Sequence, residues 1–304
     1  MNILVVSRVS IPAKDRTLPA WEHLRSLGHH VMVQHPGSRD ITVKPDAIIS
    51  MGVTVMDETF QFMRIWPGVP MFAFNWDCYE WIWEKGHGGT RQAKNPNRPN
   101  EYNYIKYGSL LSRAKEIWVP SDCTGRRTEQ WYGLKNWHTI LSAVPYWDYP
   151  DVQDKGYIYC ALREIPDPHW GWLEKACKEL NLPLVMTQHE KNYEEYQQSL
   201  AHCSFLVSHC YELSTGGLSL LEGYYLGKPC LLSNSEWHGG WDYMGERAEY
   251  FQWDDYDGFK TGLIQMMRHK REMRESLRDG QDWVRKTFSD EVMIDKMLKR
   301  MQDA

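Results

Sequence analysis

The sequence predicts an α/β protein of two doubly wound, Rossmann-like domains facing a cleft, with a helical tail at the C-terminal end. Three observations carry that expectation. Short apolar, β-branched runs alternate with amphipathic stretches roughly every 20 to 30 residues, the rhythm of strand–helix–strand units and a parallel sheet. The alternation lapses between Tyr146 and Lys155, a stretch of Pro, Asp and aromatic residues without periodicity, and then resumes. From about Gly258 to Met301 the pattern is helical almost throughout. A chain of 304 residues is long enough for two separate cores. The expected division is 1–150 for an N-terminal Rossmann-like domain and 151–304 for a C-terminal Rossmann-like domain with its helical tail.

The elements follow in order. Ile3–Ser7 reads as a central parallel strand, Pro19–Leu27 as a helix stopped by Gly28, and His30–Gln34 as the next strand. Ala47–Ser50 gives a strand, Val55–Ile65 a helix and Met71–Phe74 another strand. Tyr104–Ala114 is predicted helical and Glu116–Pro120 extended. Ser121-Asp122-Cys123-Thr124 then caps a helix starting at Gly125, and Thr139–Leu141 is a strand. In the second half, strands are expected at Tyr157–Ala161, Leu184–Met186, Phe205–Ser208, Cys230–Ser233 and Tyr250–Phe251. Helices are expected at Trp170–Leu180 and Tyr193–Ala201. The tail should bury Leu263, Met266, Met267, Leu277, Trp283, Val284, Phe288, Ile294 and Leu298.

Composition narrows the function classes. The net charge of −5 argues against bulk nucleic-acid binding while leaving room for a local basic patch. No apolar run reaches the roughly 20 residues that span a bilayer, and Met1–Val6 enters a strand directly, so no targeting segment is expected and the protein reads as cytoplasmic. Its seven cysteines are scattered, without metal-ligand spacing, and read as reduced, mostly buried thiols. Fifteen Trp and seventeen Tyr suit sugar or base stacking as well as ordinary core packing.

In doubly wound sheets, ligands sit beyond the carboxyl ends of the strands. The stretch that best fits such a place is Ser214-Thr215-Gly216-Gly217-Leu218-Ser219-Leu220-Leu221-Glu222-Gly223. It is a glycine-bearing loop turning straight into a helix, so unpaired N–H groups and the positive dipole end meet there. Glu222 follows, placed to reach a sugar hydroxyl beside a bound diphosphate. The same residues also fit an ordinary loop-to-helix junction with a solvated Glu. Asp77, after the strand at Met71–Phe74, is a group facing the cleft or a helix cap. The polar run Gly86–Asn103, with Lys85, Arg91, Lys94 and Arg98, is a solvated loop or one that closes over an anionic acceptor. Ser235–Tyr243 lies past a strand end, where Gly239 and Gly240 allow close backbone approach and the rings could stack on a sugar or base. His238 and His209 read as structural or solvated, and the Trp170/Trp172 pair as packing against the following helix in preference to framing a base.

These residues resemble the GT-B glycosyltransferases, specifically the large retaining family-four type that uses nucleotide-sugar donors. Leu221-Glu222-Gly223-Tyr224-Tyr225-Leu226-Gly227-Lys228-Pro229 is similar to that family's Leu-Glu-Ala-x-x-x-Gly-x-Pro signature, preceded by Gly217-Leu218 where the family has Gly-Leu and by a strand ending in Ser208. Tyr159-Cys160-Ala161-Leu162-Arg163 resembles the strand that delivers the family's diphosphate-binding Arg. The resemblance is strongest over 157–300 and rests more on topology than on motif over 1–110. It departs from the family in three places. Ser214 stands where the first Glu of the paired-glutamate motif belongs. His169 is the nearest counterpart of the second basic residue, a Lys in the family. Ser7–Pro12 replaces the glycine-rich loop after the first strand.

The resemblance implies sugar transfer from a nucleotide-diphosphate donor to an acceptor hydroxyl, with retention and without a metal. The donor is a co-substrate, and no further cofactor is implied. Arg163 would neutralise the leaving diphosphate, with His169 beside it, and Asp77 completes the candidate catalytic set. Ser214, Thr215, Gly216, Gly217, Leu218 and Glu222 would form the donor site, with Gly240 and Asp242 as the nearest equivalents of a family glycine and acid. The acceptor is a carbohydrate, a lipid-linked sugar or another small-molecule hydroxyl. The alternatives are a hydroxylated base in DNA, to which the loop cations and Arg126-Arg127 lend support, and a catalytically silent nucleotide-sugar-binding module, suggested by the missing first Glu.

Overall fold

The structure, a computed structural model, describes residues 1–7, 18–34, 43–52, 55–76, 101–144, 152–161, 171–186, 192–208, 217–235, 238–277 and 279–303. They form two compact units. One takes the described residues of 1–84, 97–143 and 288–304, and the other those of 144–287.

In the first unit six strands lie in the order β2-β1-β3-β4-β5-β6, all neighbours parallel. They are β1 (Asn2–Val6), β2 (His30–Gln34), β3 (Ala47–Ser50), β4 (Met71–Phe74), β5 (Glu116–Val119) and β6 (Trp137–Thr139). The central strands are continuous apolar runs because helices cover both faces of the sheet. Between them run α1 (Leu18–Ser26), α2 (Met56–Ile65), α3 (Glu101–Leu111) and α4 (Asp122–Tyr132). Ser121 caps α4 by accepting the Thr124 N–H at 3.1 Å, so the helix starts three residues before Gly125, inside the cluster predicted to cap it. Gly133, at φ +68°, closes it. Strand β6 lies two residues earlier than its apolar run suggested, because Trp137 packs its ring over Gly125 of α4.

The second unit has five parallel strands in the order β11-β10-β9-β7-β8. They are β7 (Ile158–Cys160), β8 (Leu184–Met186), β9 (Phe205–Ser208), β10 (Cys230–Asn234) and β11 (Glu249–Gln252). The helices are α5 (Trp172–Glu179), α6 (Tyr193–His202), α7 (Leu218–Tyr225), the short α8 (Gly240–Met244), α9 (Tyr256–Ser276) and α10 (Gly280–Phe288). Both sheets carry the doubly wound order in which the first strand lies between the second and the third. The topological switch points are therefore β1/β3 and β7/β9. Asp154 anchors the start of this unit: Lys270 at 2.8 Å, Ser204 at 2.6 Å and Arg274 at 3.4 Å converge on its carboxylate. Burial would raise its pKa, but these partners and the Gly156 N–H hold it well below the usual carboxylate range.

The predicted helical tail is three helices, broken after Ser276 and again at Ser289. Six of its nine expected core positions are buried; Met267, Trp283 and Leu298 are half-buried. The last helix, α11 (Asp290–Asp303), was grouped with the second half on sequence but belongs to the first unit. Its Met293, Ile294 and Met297 join Ile3, Val5, Trp21 and Leu24 in one core cluster, each buried side chain stabilising by roughly 2 kcal/mol. Arg300 then clamps Glu116 of β5, its Nε donating to Oε2 at 2.9 Å and its Nη2 to Oε1, while Trp118 Nε1 donates to Oε2 at 3.3 Å. The five described cysteines are buried free thiols. Among the described residues no helix is long and apolar enough to cross a membrane.

Candidate functional site

The carboxyl ends of β7 and β9 flank the switch point of the second sheet, and β10 runs beside β9. From β9 the chain passes to Gly217, the N-terminal cap of α7. Gly217 has φ +76°, a region that disfavours any residue with a Cβ, which accounts for glycine here. With no side chain, it leaves the first turn of α7 uncapped from that position. Its carbonyl accepts the Leu220 N–H at 3.2 Å and the Tyr243 hydroxyl at 3.4 Å.

One turn further on lies Glu222, only 1% exposed, its Oε2 accepting the hydroxyl of Tyr196 from α6. Tyr196 is itself fixed by stacking on Tyr193 at 5.6 Å and by the ring of Tyr159 at 6.3 Å. The reading of Glu222 as a solvated side chain is thus overturned: α7 packs on β9 and β10, and Tyr196 of α6 covers the carboxylate. Gly223 is what lets α7 come so close. A Cβ there would lie 2.5 Å from Leu206 Cδ1 of β9.

Beyond β10, His238 is 1% exposed and bridges two strand-end segments. The Gly240 N–H donates to its Nδ1 at 3.1 Å, so Nδ1 carries no proton. Nε2 carries it and donates to Ser208 Oγ at 2.8 Å. Burial pushes its pKa down to about 4, so the ring is neutral near pH 7. Gly240 packs against that ring: a Cβ would approach it to 2.8 Å and would lie 3.4 Å from Leu220 of α7. Asp242, in the same short helix, is exposed, its N–H donating to Gly239 O at 3.1 Å. The neighbouring Trp241 is 48% exposed, edge-on to Tyr250 at 4.4 Å.

Of the candidate site residues, Gly217, Leu218, Glu222 and Gly240 are gathered around α7 and the end of β10, with Asp242 on the outer side of α8. Asp77, Arg163, His169, Ser214, Thr215 and Gly216 lie outside the described residues, as do Trp170, His209 and the 86–100 loop. Trp172 packs edge-on against Tyr256 of α9 at 5.1 Å, so it is a packing residue, but its partner is a helix distant in sequence and not the following one that was expected. Arg127 is buried, bonded to Gln130 at 3.2 Å and lying over Trp131, so only Arg126 of that pair is exposed. Tyr196 and the Ser208–His238 bridge went unrecognised on sequence. The signal for Tyr196 was its i, i+3 spacing from Tyr193 opposite a buried acid; nothing local marked the pairing of Ser208 with His238. No three His, Cys, Asp or Glu residues among those described group as metal ligands. A cavity of about 530 Å³, lined by Tyr224, Pro229, Met244, Arg247, Met273 and Leu277, lies at the amino ends of β10 and β11, away from these residues.

No family model and no curated protein sequence matches the chain. Solved structures do. Sucrose-phosphate synthase from Thermosynechococcus elongatus superposes with a TM-score of 0.71 at 13% identity, over 100% of this chain and 98% of that one. HepE from Anabaena, in complex with UDP and glucose, gives 0.70 at 11% identity over 100% of both chains. A glycosyltransferase from Rickettsia africae gives 0.65 at 13% identity, over 99% of this chain and 98% of that one. With two parallel, doubly wound units on one polypeptide, the chain has the GT-B fold of the glycosyltransferases it resembles.

Proposed function

We propose that the chain is a glycosyltransferase that moves a sugar from a nucleoside-diphosphate donor to an acceptor hydroxyl, with retention and without a metal. The observation that carries this reading is the likeness of the whole chain to structures such as HepE, recorded with UDP, with UDP-glucose and with UDP and glucose. The donor site is assigned to the carboxyl ends of β7, β9 and β10. There the N-terminus of α7 supplies N–H groups and a positive dipole end for the diphosphate. Arg163, three residues past β7, is the principal cation and His169 the second. Thr215, Gly216 and Gly217 contribute backbone donors after Ser214. Glu222 accepts hydrogen bonds from the ribose hydroxyls, its carboxylate aimed by Tyr196. Gly240 lets the segment past β10 approach the donor closely, and Asp242 stands on its outer side. Asp77 is the acidic group of the acceptor-side unit. A carbohydrate, lipid-linked or small-molecule hydroxyl is favoured as acceptor over a base in DNA, and the cytoplasm as compartment.

Calorimetric titration with UDP, ADP and GDP tests the donor site. One of them should bind, and Glu222→Gln should weaken that binding by about tenfold, the loss of one charged hydrogen bond. If none binds, the donor reading fails. The anomeric configuration of the product, followed by NMR, tests retention. Activity that persists after chelation and vanishes in Arg163→Ala supports diphosphate neutralisation by the side chain.

A further inference from the structure

We propose that His238 is a positioning residue of the donor site, a neutral pillar that fixes the start of α8 against the carboxyl end of β9. The inference rests on the donor reading above. Strands β9 and β10 are parallel neighbours, so their carboxyl ends deliver two segments side by side. One ends β9 at Ser208 and continues to Gly217 and α7; the other runs from Asn234 to Gly239 and α8. His238 joins the two through Nε2, which donates to Ser208 Oγ at 2.8 Å, while Nδ1 accepts the Gly240 N–H at 3.1 Å and so fixes the ring's orientation. Tyr243 adds a second cross-tie on the same pair of segments, its hydroxyl reaching Gly217 O at 3.4 Å.

The chemistry requires a neutral ring. A protonated Nδ1 would face the Gly240 N–H, donor against donor, and the tie would break. The ring is fully enclosed, with Ser208 and Gly240 on its two nitrogens, so it neither touches nor exchanges protons with a ligand. Its part is to hold Gly240 against the end of β9 at Ser208, while Tyr243 ties the same short helix to Gly217 at the cap of α7, and the two ties together set the width of the diphosphate cradle. A donor bound against both segments senses that width, whereas the fold of the unit rests on its sheet.

The test compares His238→Ala, which loses both contacts, with His238→Gln, whose side-chain amide N–H can still donate to Ser208 Oγ. UDP affinity is read by calorimetry, and donor KM, kcat and pH profile by product formation, at temperatures where circular dichroism shows each variant folded. His238→Ala should raise the UDP Kd and the donor KM about tenfold with kcat within about twofold, and His238→Gln should recover most of that loss. Neither variant should remove a limb from the pH profile. Amide exchange across Gly217–Leu220 should quicken in His238→Ala. A wild-type protein that binds UDP with a His238→Ala variant that binds it equally well overturns the role of His238 alone. A limb near pH 6–7 lost in both variants also overturns it, because it would make the ring a proton carrier. A wild-type protein that binds no nucleoside diphosphate overturns the donor reading, and this inference with it.

Discussion

Gly223 stands where the resembled signature has alanine, and an alanine inside a helix is favoured over glycine by about 1 kcal/mol. On propensity alone, Gly223→Ala should stabilise the protein. The structure reverses the sign. The new Cβ would lie 2.5 Å from Leu206 Cδ1, 3.0 Å from Cδ2 and 3.3 Å from Cγ, and Leu206 is wholly buried in β9. Carbon contacts relax at about 3.5–4.0 Å, so the pair must separate by roughly 1 Å. With Leu206 enclosed, α7 has to move, and it carries the Gly217 cap and Glu222 with it. Overpacking of this kind costs about 1–3 kcal/mol, which leaves a net loss of about 1 kcal/mol after the propensity gain. Leu206→Val alone should cost about 1 kcal/mol for the lost methylene. In the double variant the smaller side chain makes room for the added methyl, so its loss should fall short of the sum by about 1 kcal/mol. Urea unfolding with a constant m-value gives all four free energies. A Gly223→Ala protein more stable than wild type, or single effects that simply add, would refute the close approach of α7 to β9.

Two further predictions concern the first unit. Asp290, the first residue of α11, has a buried Oδ1 without a hydrogen-bond partner, and burial, then the charge of Glu291, push its pKa up to about 6, with His23 opposing. An acid whose folded pKa is raised favours folding fully below about pH 4, and that contribution is lost as pH climbs through 6. Asp290→Asn should therefore stabilise by about 1 kcal/mol at pH 7, a figure discounted for solvent screening and for the lost helix-dipole interaction, with the gain gone by pH 4. Urea melts between pH 4 and 8 read this, and a gain constant across that range would contradict it. Arg300→Ala leaves the buried Glu116 carboxylate without its bidentate partner and should cost about 2–3 kcal/mol; a thermal midpoint within 1 °C of wild type would deny the clamp.

The strands were the most legible part of the fold. β2, β3, β4, β8 and β9 sit where their short β-branched runs put them, because a strand covered on both faces must be apolar along its whole length. Helix boundaries were less legible. The breaks at the end of α9 and at Ser289 interrupt an apolar period that continues through them. Periodicity says that Ile294 is buried, but not that it lies with Met293 and Met297 against Trp21 instead of the neighbouring helices. α8 escaped notice because Gly239 and Gly240 look like loop; its first turn is set by His238, which accepts the Gly240 N–H, and by Leu220 of α7. In the site, Gly217, Leu218 and Glu222 were visible as a local motif. Tyr196 and Ser208 were not, because each acquires its meaning from a partner more than 25 residues away.

The return of α11 to the first unit makes that unit discontinuous in the chain, and this bears on how the protein is made. Synthesis delivers the whole first sheet, then all of the second unit, and only then the helix that seals the face formed by Ala20, Trp21 and Leu24. N-terminal domains ordinarily fold first as they emerge, but this one waits with an open apolar face until residues 288–303 are released. A fragment ending at residue 143 would keep that face open for good and would associate through it. The long-range closure between α1 and α11 also raises the contact order of the first unit, so its last folding step is slower than its parallel sheet alone would dictate.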